Sequence, residues 1–265
     1  MSTRALTPFC LLLGATLLSA CGGSNSNTPT DTSIPPPAQD SAAFAASKVG
    51  ATRMDFSATD SPFRLTVNGQ IVRERTRERN NPGSGMDSYD YRSLPPGMAT
   101  LNGTQVFPES GIARPLLLRS YQGFHSGVNV AYHSQNHYAL FATYGHGAFT
   151  DPAKLPTLGQ TTYRGTAFNA TETGNLTYYV DFGAKIGRGQ IDGLHHYGTI
   201  TLEPLSVDPA AASVHTGTAR SDRGQQFDYQ IAFAGNAAEE MVGVAIDSHS
   251  GNGFGFHGTR DAMAE

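Results

Sequence analysis

Beyond about residue 155 the chain alternates apolar and polar side chains with period two, in short runs divided by Gly, Asn or Asp clusters, and this is the pattern of half-buried strands. In Leu176-Thr177-Tyr178-Tyr179-Val180-Asp181-Phe182 the residues Leu176, Tyr178, Val180 and Phe182 fall on one face, and Phe227-Asp228-Tyr229-Gln230-Ile231-Ala232-Phe233 alternates in the same way. Six further segments, 161–168, 186–193, 198–206, 213–219, 240–247 and 253–258, bring the expectation to eight strands. Eight strands can close into a barrel, which abolishes exposed edges and fills its interior with side chains. A β-sandwich is the alternative. Gly165, Gly187, Gly189, Gly217, Gly243 and Gly255 interrupt the strand patterns where closure requires bends and bulges.

The character of the chain changes at the turn-rich Asp151-Pro152-Ala153-Lys154-Leu155-Pro156. A domain boundary is therefore expected there, with one domain over 48–154 and a second over 155–265. The first is also β-like but less regular. Asn68-Gly69 between Arg64-Leu65-Thr66-Val67 and Gln70-Ile71-Val72 predicts a hairpin with a type I′ turn, while the topology around 80–115 stays open. Arg73-Glu74-Arg75-Thr76-Arg77-Glu78-Arg79 would set like charges against each other as a helix. As a strand it places Arg73, Arg75, Arg77 and Arg79 in one basic stripe, able to meet haem propionates, a sulfated glycan or acidic residues of a partner. A charged edge strand that discourages aggregation is the plainer reading.

The first residues carry a different signal. Met1-Ser2-Thr3-Arg4 is followed by an apolar run from Phe9 to Leu18 that ends in Leu18-Ser19-Ala20-Cys21. The run has signal-peptide length and is too short to span a bilayer. Small residues before a cysteine form a lipobox, so residues 1–20 are expected to be removed and Cys21 to carry diacylglycerol and acyl lipid. Several acyl chains on one residue anchor a protein durably. Residues 21–47, dense in Ser, Thr, Asn, Pro and Gly, cannot bury enough surface to order themselves and are expected to form a tether with a mean reach of about 25–30 Å. No Asp follows Cys21, which points to the outer membrane.

Composition narrows the reading further. Cys10 and Cys21 are the only cysteines, so the folded part is expected to hold without a disulfide although it lies in an oxidising compartment. Net charge is −4 and grows more negative when Arg4 is lost, which argues against a general nucleic-acid binder. Gly 30 of 265, Pro 15 and 15% charged residues describe a turn-rich, strand-rich chain.

Leu155-Pro156-Thr157-Leu158-Gly159, Thr162-Tyr163-Arg164-Gly165-Thr166-Ala167-Phe168, Gly174-Asn175-Leu176-Thr177-Tyr178 and Asp181 through Ile191 closely resemble, in order, the C-terminal barrel of the factor H-binding proteins. Phe233-Ala234-Gly235-Asn236-Ala237-Ala238-Glu239-Glu240-Met241-Val242-Gly243 resembles that family's penultimate turn and strand. Ser120-Tyr121-Gln122-Gly123-Phe124-His125-Ser126 is similar to the segment leading into its interdomain region. The same barrel occurs in transferrin-binding protein B lobes and in the haem-capturing hemophilins, which reach the cell surface through the surface lipoprotein assembly modulator system. The resemblance covers residues 118–258. It implies an all-β protein, an irregular N-terminal handle followed by an eight-stranded antiparallel barrel, displayed outside the cell to bind a host molecule. It does not name the ligand, because such relatives bind unrelated molecules through loops.

Among residues that could carry binding, His125, His133, His137 and His146 crowd into some twenty positions before the barrel. His133 and His137 are four apart and are expected to share a face whether the segment is strand or helix. Neutral imidazole is a good axial haem ligand, and Tyr132, Tyr138, Phe141, Tyr144 and Phe149 could wall a porphyrin pocket. Satisfied surface or interface histidines are the alternative. A metal site fits less well, since no Cys remains and no carboxylate sits at ligand spacing. His195-His196 read as loop residues. There is no GxSxG, phosphate loop, HExxH or GxGxxG at a strand-helix junction, and the adjacent Glu239-Glu240 do not suggest acid-base work. The expectation is a noncatalytic surface lipoprotein that captures haem, a haem- or iron-carrying host protein, or a serum protein such as a complement regulator. An envelope structural or adhesion lipoprotein is the alternative.

Overall fold

The computed structural model describes residues 52–57, 63–67, 70–77, 85–89, 97–106, 111–133, 136–208, 210, 214–247 and 249–261. The expected signal segment, Cys21 and the tether lie outside the described residues, as do Asn68, Gly69 and Arg79.

Eight strands make the N-terminal sheet: β1 (Thr52–Ser57), β2 (Phe63–Val67), β3 (Gln70–Arg77), β4 (Gly85–Tyr89), β5 (Gly97–Val106), β6 (Ala113–Gln122), β7 (Ser126–His133) and β8 (Asn136–Gly147). Their order across the sheet is β1-β8-β7-β6-β5-β2-β3-β4. Val67 pairs with Gln70, so β2 and β3 are joined by two residues, as the Asn-Gly dipeptide predicts. The arginine segment is a strand, but β3 is not an edge. It pairs with β2 on one side and with β4 on the other, because the stretch near 80–90 that carried no clear sequence signal supplies β4.

The C-terminal strands are β9 (Gln160–Phe168), β10 (Thr173–Asp181), β11 (Ile186–Leu194), β12 (Gly198–Ser206), β13 (His215–Ser221), β14 (Gln226–Ala234), β15 (Glu240–Ile246) and β16 (Gly253–Arg260). Each pairs antiparallel with the next, and β16 pairs with β9 to close the barrel. All eight segments expected from alternation are strands of this barrel. The period-two pattern is also the burial pattern: Leu176, Tyr178 and Val180 are buried inside while Asn175 and Thr177 are exposed.

Tyr163, Tyr178, Tyr197, Tyr229, Phe227, Phe254 and Phe256 fill the interior together with aliphatic side chains. Rings of this size need room. On β11 the register shifts between Gly187 and Gly189, and a Cβ at Gly187 would stand 2.5 Å from the Tyr178 hydroxyl and at Gly189 2.6 Å from its ring. Two glycines at the expected positions therefore let the wall close around Tyr178.

Sheet and barrel belong to the same compact unit. Residues 148–159 lead from one to the other through an isolated bridge, Phe149 with Ala234, and a 3-10 turn over Pro152–Lys154. One face of β6 and β7 lies on the outer wall of the barrel, and Tyr121, Val128, Val130 and Tyr132 form a second apolar core with Phe168, Ala170, Ala232, Val242 and Val244. This explains why β15 is buried from Glu240 to Ala245 without alternation: Met241 and Ala245 face the barrel interior, Val242 and Val244 face the sheet. Among the described residues no helix is long and apolar enough to cross a membrane.

Candidate functional site

The chemistry of the described residues concentrates along the seam between sheet and barrel. At one end stands Glu240, the first residue of β15, 4% exposed. Its Oε1 accepts the Phe124 amide at 2.7 Å, and its Oε2 accepts the amides of His125 at 3.0 Å and Ser126 at 2.9 Å, the Ser126 hydroxyl at 2.8 Å and His257 Nε2 at 3.1 Å. A carboxylate is acceptor-only, so the imidazole proton sits on Nε2. Burial alone would raise this carboxyl, but His257, the Ser126 hydroxyl and the His125 amide together hold it at about 2. The Tyr121 ring stacks on His257 at 4.6 Å, and burial next to the Glu240 charge raises the Tyr121 phenol.

The turn that brings three consecutive amides onto one carboxylate depends on Gly123. A Cβ there would collide with His257 Nε2 and lie 2.6 Å from Glu240 Oε2, so only glycine allows the close approach. The carboxylate thus joins the β6–β7 turn to β15 and β16 by charge-assisted hydrogen bonds.

Toward the opposite end of the barrel, Arg119 of β6 crosses the seam. Its Nη1 donates to the carbonyls of Asn169 and Ala170 at 3.1 and 3.0 Å, and its Nη2 donates to the Thr173 hydroxyl at 3.0 Å. The guanidinium lies 5.9 Å from the centre of the Phe168 ring, and burial lowers its pKa from the ordinary value. The loop it grips is further organised by Glu172, which accepts Asn169 Nδ2 at 2.7 Å and the His196 amide at 3.1 and 3.2 Å. A side chain of the sheet therefore grips the β9–β10 connection, and Glu172 of that connection in turn holds the β11–β12 turn. Nearby, the Gly253 carbonyl accepts two hydroxyls, Tyr132 from the sheet at 3.2 Å and Tyr197 from the barrel interior at 3.4 Å.

The four clustered histidines take separate places. His125 precedes β7 at the Glu240 end of the seam, with its ring edge-on to Phe124 at 4.9 Å. His133 and His137 lie on different strands, β7 and β8, because the connection between these strands falls between them; their spacing of four therefore does not put them on one face of one element. His133 pairs with Asn136 near the tip of that hairpin, whereas His146 pairs with Gly127 at its base. The register thus sets His133 and His137 at one end of the hairpin and His125 and His146 at the other. Arg73, Arg75 and Arg77 alternate along β3 opposite Tyr89, Asp87 and Gly85 of β4. His195 and His196 lie in the β11–β12 turn. Among the described residues no group of three His, Cys, Asp or Glu could hold a metal ion.

Sequence reasoning missed Arg119, Tyr121, Ser126 and His257, and passed over Glu240 as one half of an adjacent pair. The available signal was the segment Ser120–Ser126, whose glycine sits where the Glu240 donors gather.

Residues 153–245 match the family described as Factor H binding protein, C-terminal, a span that runs from the 3-10 turn into β15. Over that span the barrel is similar to the C-terminal part of the factor H binding proteins. Solved structures similar to the chain include a double mutant of transferrin binding protein B from Haemophilus parasuis Hp5, with 14% identity over 81% of this chain and 45% of that one and a TM-score of 0.46. Isotype 1 transferrin binding protein B from serogroup B Neisseria meningitidis matches with 12% identity over 80% of this chain and 43% of that one, TM-score 0.45. A mutant of the protein from Actinobacillus pleuropneumoniae H49 matches with 12% identity over 80% and 98%, TM-score 0.41. The chain spans just under half the length of the first two.

Proposed function

We propose that the chain is a noncatalytic, lipid-anchored binding protein of the outer membrane, displayed outward and capturing a host molecule: haem, a haem- or iron-carrying protein, or a serum protein such as a complement regulator. The observation that supports this reading is the barrel, matched over residues 153–245 to proteins named for binding factor H and filled by its own side chains. A filled barrel is a scaffold and not a cup, so ligand is met on the loops and on the sheet. His125, His133, His137 and His146 remain the proposed haem ligands, and the Arg73, Arg75, Arg77 and Arg79 stripe the proposed contact for anionic groups. Cys21 carries the lipid, and export follows the route that the resemblance implies.

The test uses the whole chain in detergent micelles. Haem is titrated and the Soret band followed, and the chain is then used to capture partners from serum. A sharp band that is lost in one of His125→Ala, His133→Ala, His137→Ala or His146→Ala assigns haem and its ligand. A spectrum equal to that of free haem, with specific capture of one serum protein, assigns the protein ligand. Neither binding leaves the adhesion reading.

A further inference from the structure

The rim of the barrel at which the chain enters is unlike the rest of its surface. This rim is built from the start of β9, the β10–β11 turn, the end of β12 and the β14–β15 turn. Of the three large apolar side chains exposed among the described residues, two are here: Leu158 at 75% and Ile186 at 44%. They belong to two adjacent connections. The Phe182 amide donates to the Gly159 carbonyl at 3.0 Å, and Leu158 Cδ2 lies 3.8 Å from where a Gly183 side chain would begin. Around them stand Ala153, Lys154, Thr157, Ala184 and Lys185, all exposed.

Both signs of charge stand at this rim. Lys185 pairs with Asp208 at 3.1 Å. Asp181 is tied to the Ala184 amide and to Gln160, and Asp151 accepts the Ala153 amide. An apolar knob flanked by Lys154 and Lys185, whose stems can lie along apolar surface, is suited to the boundary between lipid headgroups and acyl chains.

The path of the backbone gives the second, independent observation. β1 begins at Thr52, opposite Gly147. The next residue, Ala148, donates to His125 and accepts from Gly235, and Thr150 donates to Phe233. Gly235 opens the β14–β15 turn, so the chain arrives at the same rim that bears Leu158 and Ile186. The candidate lipid site, Cys21, lies upstream of that point in sequence.

We propose that this rim, centred on Leu158 and Ile186, rests on the lipid surface, so that the opposite rim and the free end of the sheet face outward. The inference rests on the lipid-anchor reading of Cys21. Burying one leucine and part of one isoleucine is a weak attraction by itself, but a chain held at the bilayer by a short tether meets it at millimolar effective concentration, where a weak contact is populated.

The experiment exploits the scarcity of cysteine. With Cys10 removed and Cys21 acylated, Thr157→Cys places the sole reactive thiol at this rim, and Arg223→Cys places it at the other, where Arg223 is exposed. The lipidated chain is reconstituted in phosphatidylcholine vesicles carrying a nitroxide-headgroup lipid, and a fluorophore at each position is read for quenching. The expected result is strong quenching at position 157, little at 223, and loss of most quenching at 157 when Leu158→Asp is added. Equal quenching at both positions, stronger quenching at 223, or none at either overturns the orientation, the last of these leaving the rim to a protein partner. Failure of the chain to float with the vesicles overturns the anchor reading and this inference with it, and flotation separates the two failures.

Discussion

The residue that bears most on the joining of sheet and barrel is Glu240. Its carboxyl is held at about 2 against an ordinary 4.5, so the folded state binds its proton more weakly than the unfolded chain does. Stability from this group is present in full above about pH 4.5 and is lost as pH falls toward 2, and its size is on the order of 3 kcal/mol. Glu240→Gln keeps the shape but loses the charge and leaves one or more of the donors of residues 124–126 and 257 unmatched. It is expected to lower the unfolding free energy at pH 7 by about 3 kcal/mol, and chemical denaturation as a function of pH should show the gap to the unaltered protein closing between pH 4.5 and 2. A gap that stays constant with pH would mean that the carboxylate is not the source. No local pattern could have announced this residue, because three of the residues that donate to it, Phe124, His125 and Ser126, sit more than a hundred positions upstream and the fourth, His257, lies on another strand.

At the scale of elements, legibility follows burial. Strands β10 to β13 bury one face, so Leu176, Tyr178 and Val180 alternate with polar neighbours and the strand is plain from the sequence. β6 has no such alternation. In Ala-Arg-Pro-Leu-Leu-Leu-Arg-Ser-Tyr-Gln the last five residues are all buried, with Arg119 and Tyr121 toward the barrel and Leu118, Ser120 and Gln122 on the other face, and Gln122 donates to Ser120 and Asn129 there. A strand buried on both sides, with polar residues satisfied by one another, loses the period-two signature. The loop held by Arg119 offers a test at this scale. Arg119→Met keeps an apolar stem beside Phe168 but strands the Asn169 and Ala170 carbonyls, a local loss of about 2 kcal/mol. Hydrogen exchange should quicken at the amides of residues 169–173 while those of β11 and β12 stay protected; uniform quickening through the barrel would refute a local role.

For the whole molecule, a shared core predicts shared melting. Tyr121, Val128, Val130 and Tyr132 bury their apolar surface against Phe168, Ala170, Ala232, Val242 and Val244 of the barrel, so the described sheet should not outlast it. Calorimetry is expected to show one transition whose calorimetric and van't Hoff enthalpies agree, and two resolved transitions would contradict the seam as drawn. Pulling on the molecule should reveal an order that heating conceals. Load applied at Thr52 acts on the residue whose partner Gly147 is the last of β8, so the two strands are drawn apart from the ends that face each other. Hydrogen bonds loaded in this way yield one after another and at low force. β1 is six residues long, and its release would pay out about 20 Å of slack before the barrel or the Glu240 junction felt the full strain. Under flow or a moving partner, the first strand would then act as a spring that gives way and re-zips, and a single-molecule trace should record it as a small reversible step ahead of any larger rupture.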